Sequence, residues 1–192
     1  MSLSYSYEIF MPRQNVPGAL TELSNISPRD EPPLQITLPG GEQVVVPFTS
    51  NRKSDPVDVS AGDRLELETS IMCAVDDAVL EFHDFLDSGR DELGRIMVGI
   101  VYLTVRFSPA WHPDFASLEF SAATSDMSRM FEQSASIRQV FTDLTAASGG
   151  VCCVFDTESY VSDVCWLNGE PIRETVPGPR FKGFHELIAA WS

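Results

Sequence analysis

The chain has 192 residues, 43% of them hydrophobic and 21% charged, with a formal charge of −15 and a pI near 4.4. That length suits one domain of generous size or two small ones, and the composition excludes a disordered chain and needs no covalent staples. The acidity, with basic residues scattered along the chain, excludes the basic face by which nucleic acid or anionic lipid is bound.

In chain order, Ser4 to Met11 predicts a strand, because Tyr5, Tyr7 and Ile9 alternate with Ser4, Ser6 and Glu8. Asn15 is placed to cap a short helix with Pro17 in its first turn and Leu20 and Leu23 as its apolar stripe. Pro28, Pro32 and Pro33 end it. Leu34 to Leu38 and Val44 to Phe48 flank Pro39-Gly40-Gly41-Glu42, a hairpin around a glycine-rich turn. Residues 49 to 62 are loop by composition and the one place for a domain boundary. A single domain is expected, since the segment before it is marginal alone.

From Arg64, the alternation of Leu65, Leu67, Thr69, Ile71 and Cys73 with Glu66, Glu68 and Ser70 predicts a half-buried strand with its acids outward. Ala78 to Leu86 fits a helical stripe capped by Asp76 (Val79, Phe82, Phe85, Leu86) and, as an alternative, a strand; the helix is preferred. Ile96 to Phe107 begins apolar on both faces, as a central covered strand does. Leu118 to Ala122 predicts another strand. Met127, Met130, Phe131, Ser134, Ile137, Phe141 and Leu144 recur at spacings of three and four, predicting one helix from Asp126 to Ala147. Ser125 or Thr124 caps it and Gly149-Gly150 stops it. Val151 to Phe155 and Val161 to Leu167 predict a second hairpin. After Pro177-Gly178-Pro179, Phe181, Phe184, Ile188 and Trp191 mark a terminal helix. The expected fold class is α+β, an antiparallel or mixed sheet covered by two or three helices.

The negative charge is unevenly spread. Residues 55 to 92 hold twelve acids against Arg64 and Arg90, a local charge of −10, leaving −5 for the other 154 residues. Met1 to Tyr7 lacks the basic and apolar regions of a secretory signal, and no apolar run approaches the ~20 residues of a membrane span. Four cysteines without CxxC spacing are then expected to be reduced thiols in a cytoplasm. Cys152 and Cys153 should point to opposite faces of one strand.

Candidate sites are sparse. Asp84, Asp87, Gly89, Asp91 and Glu92 resemble a calcium loop, but the third position is Leu86 and Arg90 adds a repelling charge, so a solvated acidic turn is expected. His83, His112 and His185 are too far apart for a zinc site, and no cofactor is implied. Asp156 and Glu158, two apart after a strand, would share a face as paired carboxylates do, although a surface turn needs the same residue types. No nucleophile motif or phosphate loop occurs, and no catalytic residue is assigned. Trp111-His112-Pro113-Asp114-Phe115 combines the residues of a recognition loop; the alternative is a loop pinned to the core by Trp111 and Phe115 with His112 exposed.

The leading expectation is a non-enzymatic module whose acidic face docks a basic protein through Asp76, Asp77, Glu81, Asp84, Asp87, Asp91 and Glu92, with Trp111, His112 and Asp114. In charge, and in lacking any catalytic constellation, the chain resembles the immunity proteins that neutralise bacterial toxins, which implies a toxin as the partner and the phosphate-binding cleft of a nuclease as its surface. The rival is a small-molecule-binding or enzymatic domain with a pocket between the sheet and the 126–147 helix, lined by Met127, Met130, Tyr102 and Cys153. A homo-oligomeric structural protein is the third reading. Neither nucleic acid nor a membrane is expected as a partner, and the sequence does not set the oligomeric state.

Overall fold

The structure, a computed structural model, describes residues 3–28, 32–83, 89–178 and 182–192. Its elements are β1 (Ser6–Pro12), α1 (Val16–Asn25), β2 (Leu34–Thr37), β3 (Gln43–Val46), β4 (Val57–Asp58), β5 (Arg64–Thr69), β6 (Met72–Cys73) and α2 (Asp77–Phe82). They continue with β7 (Ile96–Met97), β8 (Val101–Arg106), β9 (Phe115–Ala122), α3 (Ser125–Gln133), α4 (Ala135–Ala147), β10 (Cys152–Asp156), β11 (Val161–Leu167), β12 (Glu170–Pro177) and α5 (Lys182–Ala189). The fold is α+β.

Seven strands form one antiparallel sheet in the order β12-β11-β10-β1-β9-β8-β5, so the first strand of the chain becomes the central one. Smaller sheets β3-β2-β4 and β6-β7 flank it, and the expected loop 49–62 contributes β4, parallel to β2. The side chains of β1 divide between two cores. Tyr7, Ile9 and Met11 face a large cluster with α1 (Val16, Leu20, Leu23), α3 (Met130, Phe131) and α4 (Ile137, Phe141, Leu144). Phe10 faces a second cluster with Cys152, Val154, Val164 and, from α5, Phe184 and Leu187, closed by Trp191. Cys152 and Cys153 do part to these two faces, as alternation requires.

Tyr7 is the centre of the larger core. Its ring stacks on Phe141 at 4.2 Å and meets Phe155 at 4.6 Å and Phe131 at 5.7 Å, while its buried hydroxyl donates to the Phe131 carbonyl at 3.0 Å. A buried phenol so placed gives packing area and leaves no polar atom unpaired.

Several expected elements are cut where one residue prefers a different bond. The predicted helix 126–147 is two helices, because Ser134 turns extended (φ −80°, ψ 117°) and its hydroxyl accepts the Ile137 amide, capping α4 instead of continuing α3. Thr124 caps α3, accepting the Met127 amide. The predicted strand 96–107 is divided into β7 and β8 by Gly99, whose φ of +115° suits no L side chain and whose missing Cβ leaves room for Met127 Sδ at 3.2 Å. β8 is next to the edge, and its burial alternates where a doubly covered central strand was expected. The strand predicted from Arg64 to Cys73 likewise breaks after Thr69, and β6 joins β7 instead.

Asn15 precedes α1, but its side chain makes no capping bond; its amide donates to the Ser148 and Gly149 carbonyls, both at 3.2 Å, tying the start of α1 to the end of α4. Gly149, at φ +66°, sits where a Cβ would come within 2.7 Å of that amide. β12 was not expected from the sequence. It follows the two-residue turn Asn168-Gly169 and forms an outer edge of the main sheet, with Pro171 and Pro177 near its ends.

Candidate functional site

The expected acidic site is not one surface. Asp76 is structural: its side chain accepts the Val79 amide at 3.0 Å, capping α2, and also the Ser134 hydroxyl at 2.8 Å and the Ser136 amide at 3.0 Å at the start of α4. Burial opposes its charge, but these donors outweigh it and hold the carboxyl below the usual range. Asp91 closes a turn, accepting the Leu93 and Arg95 amides and pairing with the Arg95 guanidinium at 2.8 Å. Asp77 and Glu81 on α2 and Glu92 are exposed. Asp84 and Asp87 lie outside the described residues, as does much of the calcium-like segment. Among the described residues, no three His, Cys, Asp or Glu side chains converge as metal ligands.

The 111–115 loop is pinned to the core by Phe115, edge-on to Trp191 at 5.3 Å, as the pinned-loop alternative has it, but Trp111 and His112 exchange places. Trp111 is 59% exposed, whereas His112 is 4% exposed, edge-on to Phe10 at 4.8 Å and 5.3 Å from the Trp191 ring. Burial lowers the His112 pKa, so the ring sits as a neutral packing element. Asp114 is exposed. The residues named for a pocket under the 126–147 helix do not line one: Met127, Met130 and Cys153 are buried within the large core, and Tyr102 lies on the opposite face, 47% exposed. A groove of about 380 Å³ lies elsewhere, between α1, α4 and β6, with Ile26, Met72, Val140 and Leu144 in its lining and Glu22, Asp143 and Arg95 among its charges. All four cysteines are buried free thiols, and burial pushes Cys73 and Cys152 up to about 12, which removes thiolate chemistry from both.

The charged feature that the fold does build is on the sheet face opposite the large core. Strand register sets its side chains in ranks. One rank runs Glu66 (β5), Thr104 (β8), Glu119 (β9), Glu8 (β1) and Val154 (β10). The next runs Glu68, Tyr102, Ser121, Ser6 and Asp156, and on the other side lie Arg64, Arg106, Ser117, Phe10 and Cys152. Helix α5 packs over Phe10, Cys152 and Val154, so that half of the face is covered. The half built from β9, β8 and β5 stays open, with Glu66, Glu68 and Tyr102 exposed.

At the border between the two halves, Glu8 stands directly opposite Glu119. Like charges directly opposed across strands destabilise a sheet unless something offsets them. Arg106 does so in part, at 2.7 Å from Glu119 and 3.6 Å from Glu8. Burial and then the Glu119 charge push the Glu8 carboxyl up to about 7, against Ser117 and Arg106, which favour its ionised form. The Ser117 side chain is wholly buried, with its hydroxyl near Glu8 but in no full hydrogen bond. Asp156 adds a third carboxyl. Its own pKa is raised, first by burial and then by Glu119 and Glu158, against the bond from the Glu158 amide.

The Asp156/Glu158 pair expected from spacing is a turn. Glu158 leaves the strand at φ +58°, its amide bonds Asp156 at 2.8 Å, and its carboxylate accepts the Ser4 amide. The Glu8–Glu119–Arg106 cluster was missed because Glu8 lies 98 residues from Arg106 and 111 from Glu119 in sequence. The only local signal was that Glu8 falls on the polar side of a strongly alternating strand. No protein-family model, no curated protein and no solved structure matches the chain.

Proposed function

We propose that the protein is a non-enzymatic docking module whose open half-sheet binds a basic protein. The observation that carries this reading is the open face itself. Alternate residues of β5, β8, β9 and β1 set Glu66, Thr104, Glu119 and Glu8 in one rank, with Glu68 and the exposed Tyr102 in the next and Arg64 and Arg106 as the counter-charges. Arg64 pairs with its strand neighbour Glu66 at 2.5 Å, an exposed contact that a partner's cation can replace at little cost. A flat, half-buried carboxylate array beside an aromatic ring suits Arg and Lys side chains, through charge and through stacking on the ring. A toxin with a phosphate-binding cleft, the partner class implied by the resemblance to immunity proteins, would present such basic groups.

Shift mapping by NMR with an arginine-rich peptide tests the reading. The expected changes centre on Glu66, Glu68, Tyr102 and Glu119, fade as salt rises and the Debye length falls below ~10 Å, and disappear in Glu66→Lys/Glu68→Lys. Changes spread evenly over all exposed acids, Asp77, Glu81 and Glu92 included, would refute a dedicated face.

A further inference from the structure

Among the described residues, the centre of that face carries more carboxyls than cations. Four charged side chains meet around Glu8: Glu119 directly opposite on β9, Asp156 two residues along on the β10 side, Arg106 from β8 reaching both glutamates, and Glu8 itself. Among the described residues, the Cys152 thiol on β10 and the buried His112 ring, which feels the Arg106 charge, are further titratable neighbours. Among the described residues, Glu8 and Glu119 thus share one guanidinium, with Asp156 as a further carboxyl nearby, partly withdrawn from water in the middle of the sheet. Beside them Ser117, 0% exposed, holds its hydroxyl near Glu8 without a full hydrogen bond. A buried hydroxyl without a bond is uncommon and costs free energy in the unliganded fold.

Resting on the docking reading above, we infer that Glu8, Glu119 and Ser117 form a subsite for a single guanidinium or ammonium group of the basic partner, which joins Arg106 between the two carboxylates. A second cation there offsets the repulsion between the opposed glutamates, and it lets Glu8 release a proton that the cluster otherwise retains. With its carboxyl pushed up to about 7, Glu8 is partly protonated at neutral pH, and a cation held against it favours the ionised form. Binding and deprotonation are therefore linked, and each cation that enters displaces part of a proton into solvent. The open rank of Glu66 and Glu68 supplies attraction at longer range; the Glu8–Glu119 centre supplies the anchor.

Calorimetric titration of the full chain with acetylated hexa-arginine at pH 7, in two buffers of different ionisation heat, tests this directly. The expected result is release of part of a proton per peptide by the wild type. Glu8→Gln, nearly the same shape, should abolish that release and weaken binding by about tenfold or more. Glu66→Gln/Glu68→Gln should weaken binding while leaving proton release intact. Binding without proton release, or release that persists in Glu8→Gln, overturns the subsite and leaves the docking face standing. Failure of the wild type to bind at all removes both.

Discussion

Replacing Asp76 with alanine should cost about 3 kcal/mol, although the sequence alone offers this residue as surface charge. One carboxylate serves two helix starts. Oδ1 accepts the Val79 amide of α2, an N-cap worth ~1 kcal/mol. Oδ2 accepts the Ser134 hydroxyl and the Ser136 amide, two charge-assisted bonds at the junction where α3 gives way to α4. In a half-exposed position each is worth ~1 kcal/mol, at the low end for bonds to a charged group because water replaces part of the loss. For a chain of this length that is a fall in Tm of roughly 6–12 °C. The pH dependence has a definite sign. The folded carboxyl lies below its unfolded value of ~3.9, so its contribution is fully present above that value and is lost as pH falls through the folded pKa. The gap between thermal melts of wild type and Asp76→Ala should therefore hold from pH 7 down to about pH 4 and narrow below it. Asp77→Ala, exposed in the first turn of α2, is the control and should change Tm little. A loss below ~0.5 kcal/mol for Asp76→Ala at pH 7, or a gap that widens on acidification, would refute the junction as described.

Phe141→Ala removes the ring stacked on Tyr7 and should lower stability by ~3–5 kcal/mol, measured by urea denaturation; a loss under ~1 kcal/mol would mean that this core relaxes around the cavity. Glu8 titrates with the opposite sign to Asp76. Its folded pKa is raised, so its contribution is fully present below ~4.3, is lost as pH rises to about 7, and should be missing from the pH profile of Glu8→Gln. Identical slopes for the two proteins between pH 5 and pH 8 would contradict the cluster.

The strands that could be read in advance are those whose burial alternates on one face only. β2, β3 and β5 follow the apolar–polar pattern of their own residues, β1 does so apart from Ser6 and Phe10, buried on its other face, and the capping residues of α2 and α3 were visible as Asp76 and Thr124. What was illegible depended on partners distant in sequence. Ser134 continues the helical stripe and sits within it without breaking the periodicity; only its bonds to Asp76 and to the Ile137 amide make it a junction. Strand β12 has mostly exposed side chains and two prolines, so it lacks the signal of a strand and exists because β11 offers it a ladder. The candidate site shows the same limit. Glu8 and Glu119 are unremarkable until β1 and β9 are set in register, and the acidic window that was conspicuous in sequence divides among a helix cap, a turn and scattered exposed positions.

The borders of the large sheet restrict how the molecule can meet anything else. On β12, Gly178 bonds back to Tyr160, so by alternation Thr175 and Pro177 direct their backbone groups outward; Pro171 and Pro177 have no N–H to offer, and between Pro171 and Glu174 the ladder is irregular, with its register shifted opposite Val164 and Trp166. On β5, Glu68 already exchanges both of its outward bonds with Thr49, and the remaining rim carries Arg64 and Glu66. Neither side gives an incoming strand a continuous ladder to copy, which is how natural sheets resist stacking edge to edge into fibrils. In-plane growth is closed off on both flanks. Recognition is then directed onto the broad surfaces of the sheet, by groups that meet side chains instead of backbone, and crowding this protein at high concentration should leave discrete particles, not strand-swapped chains.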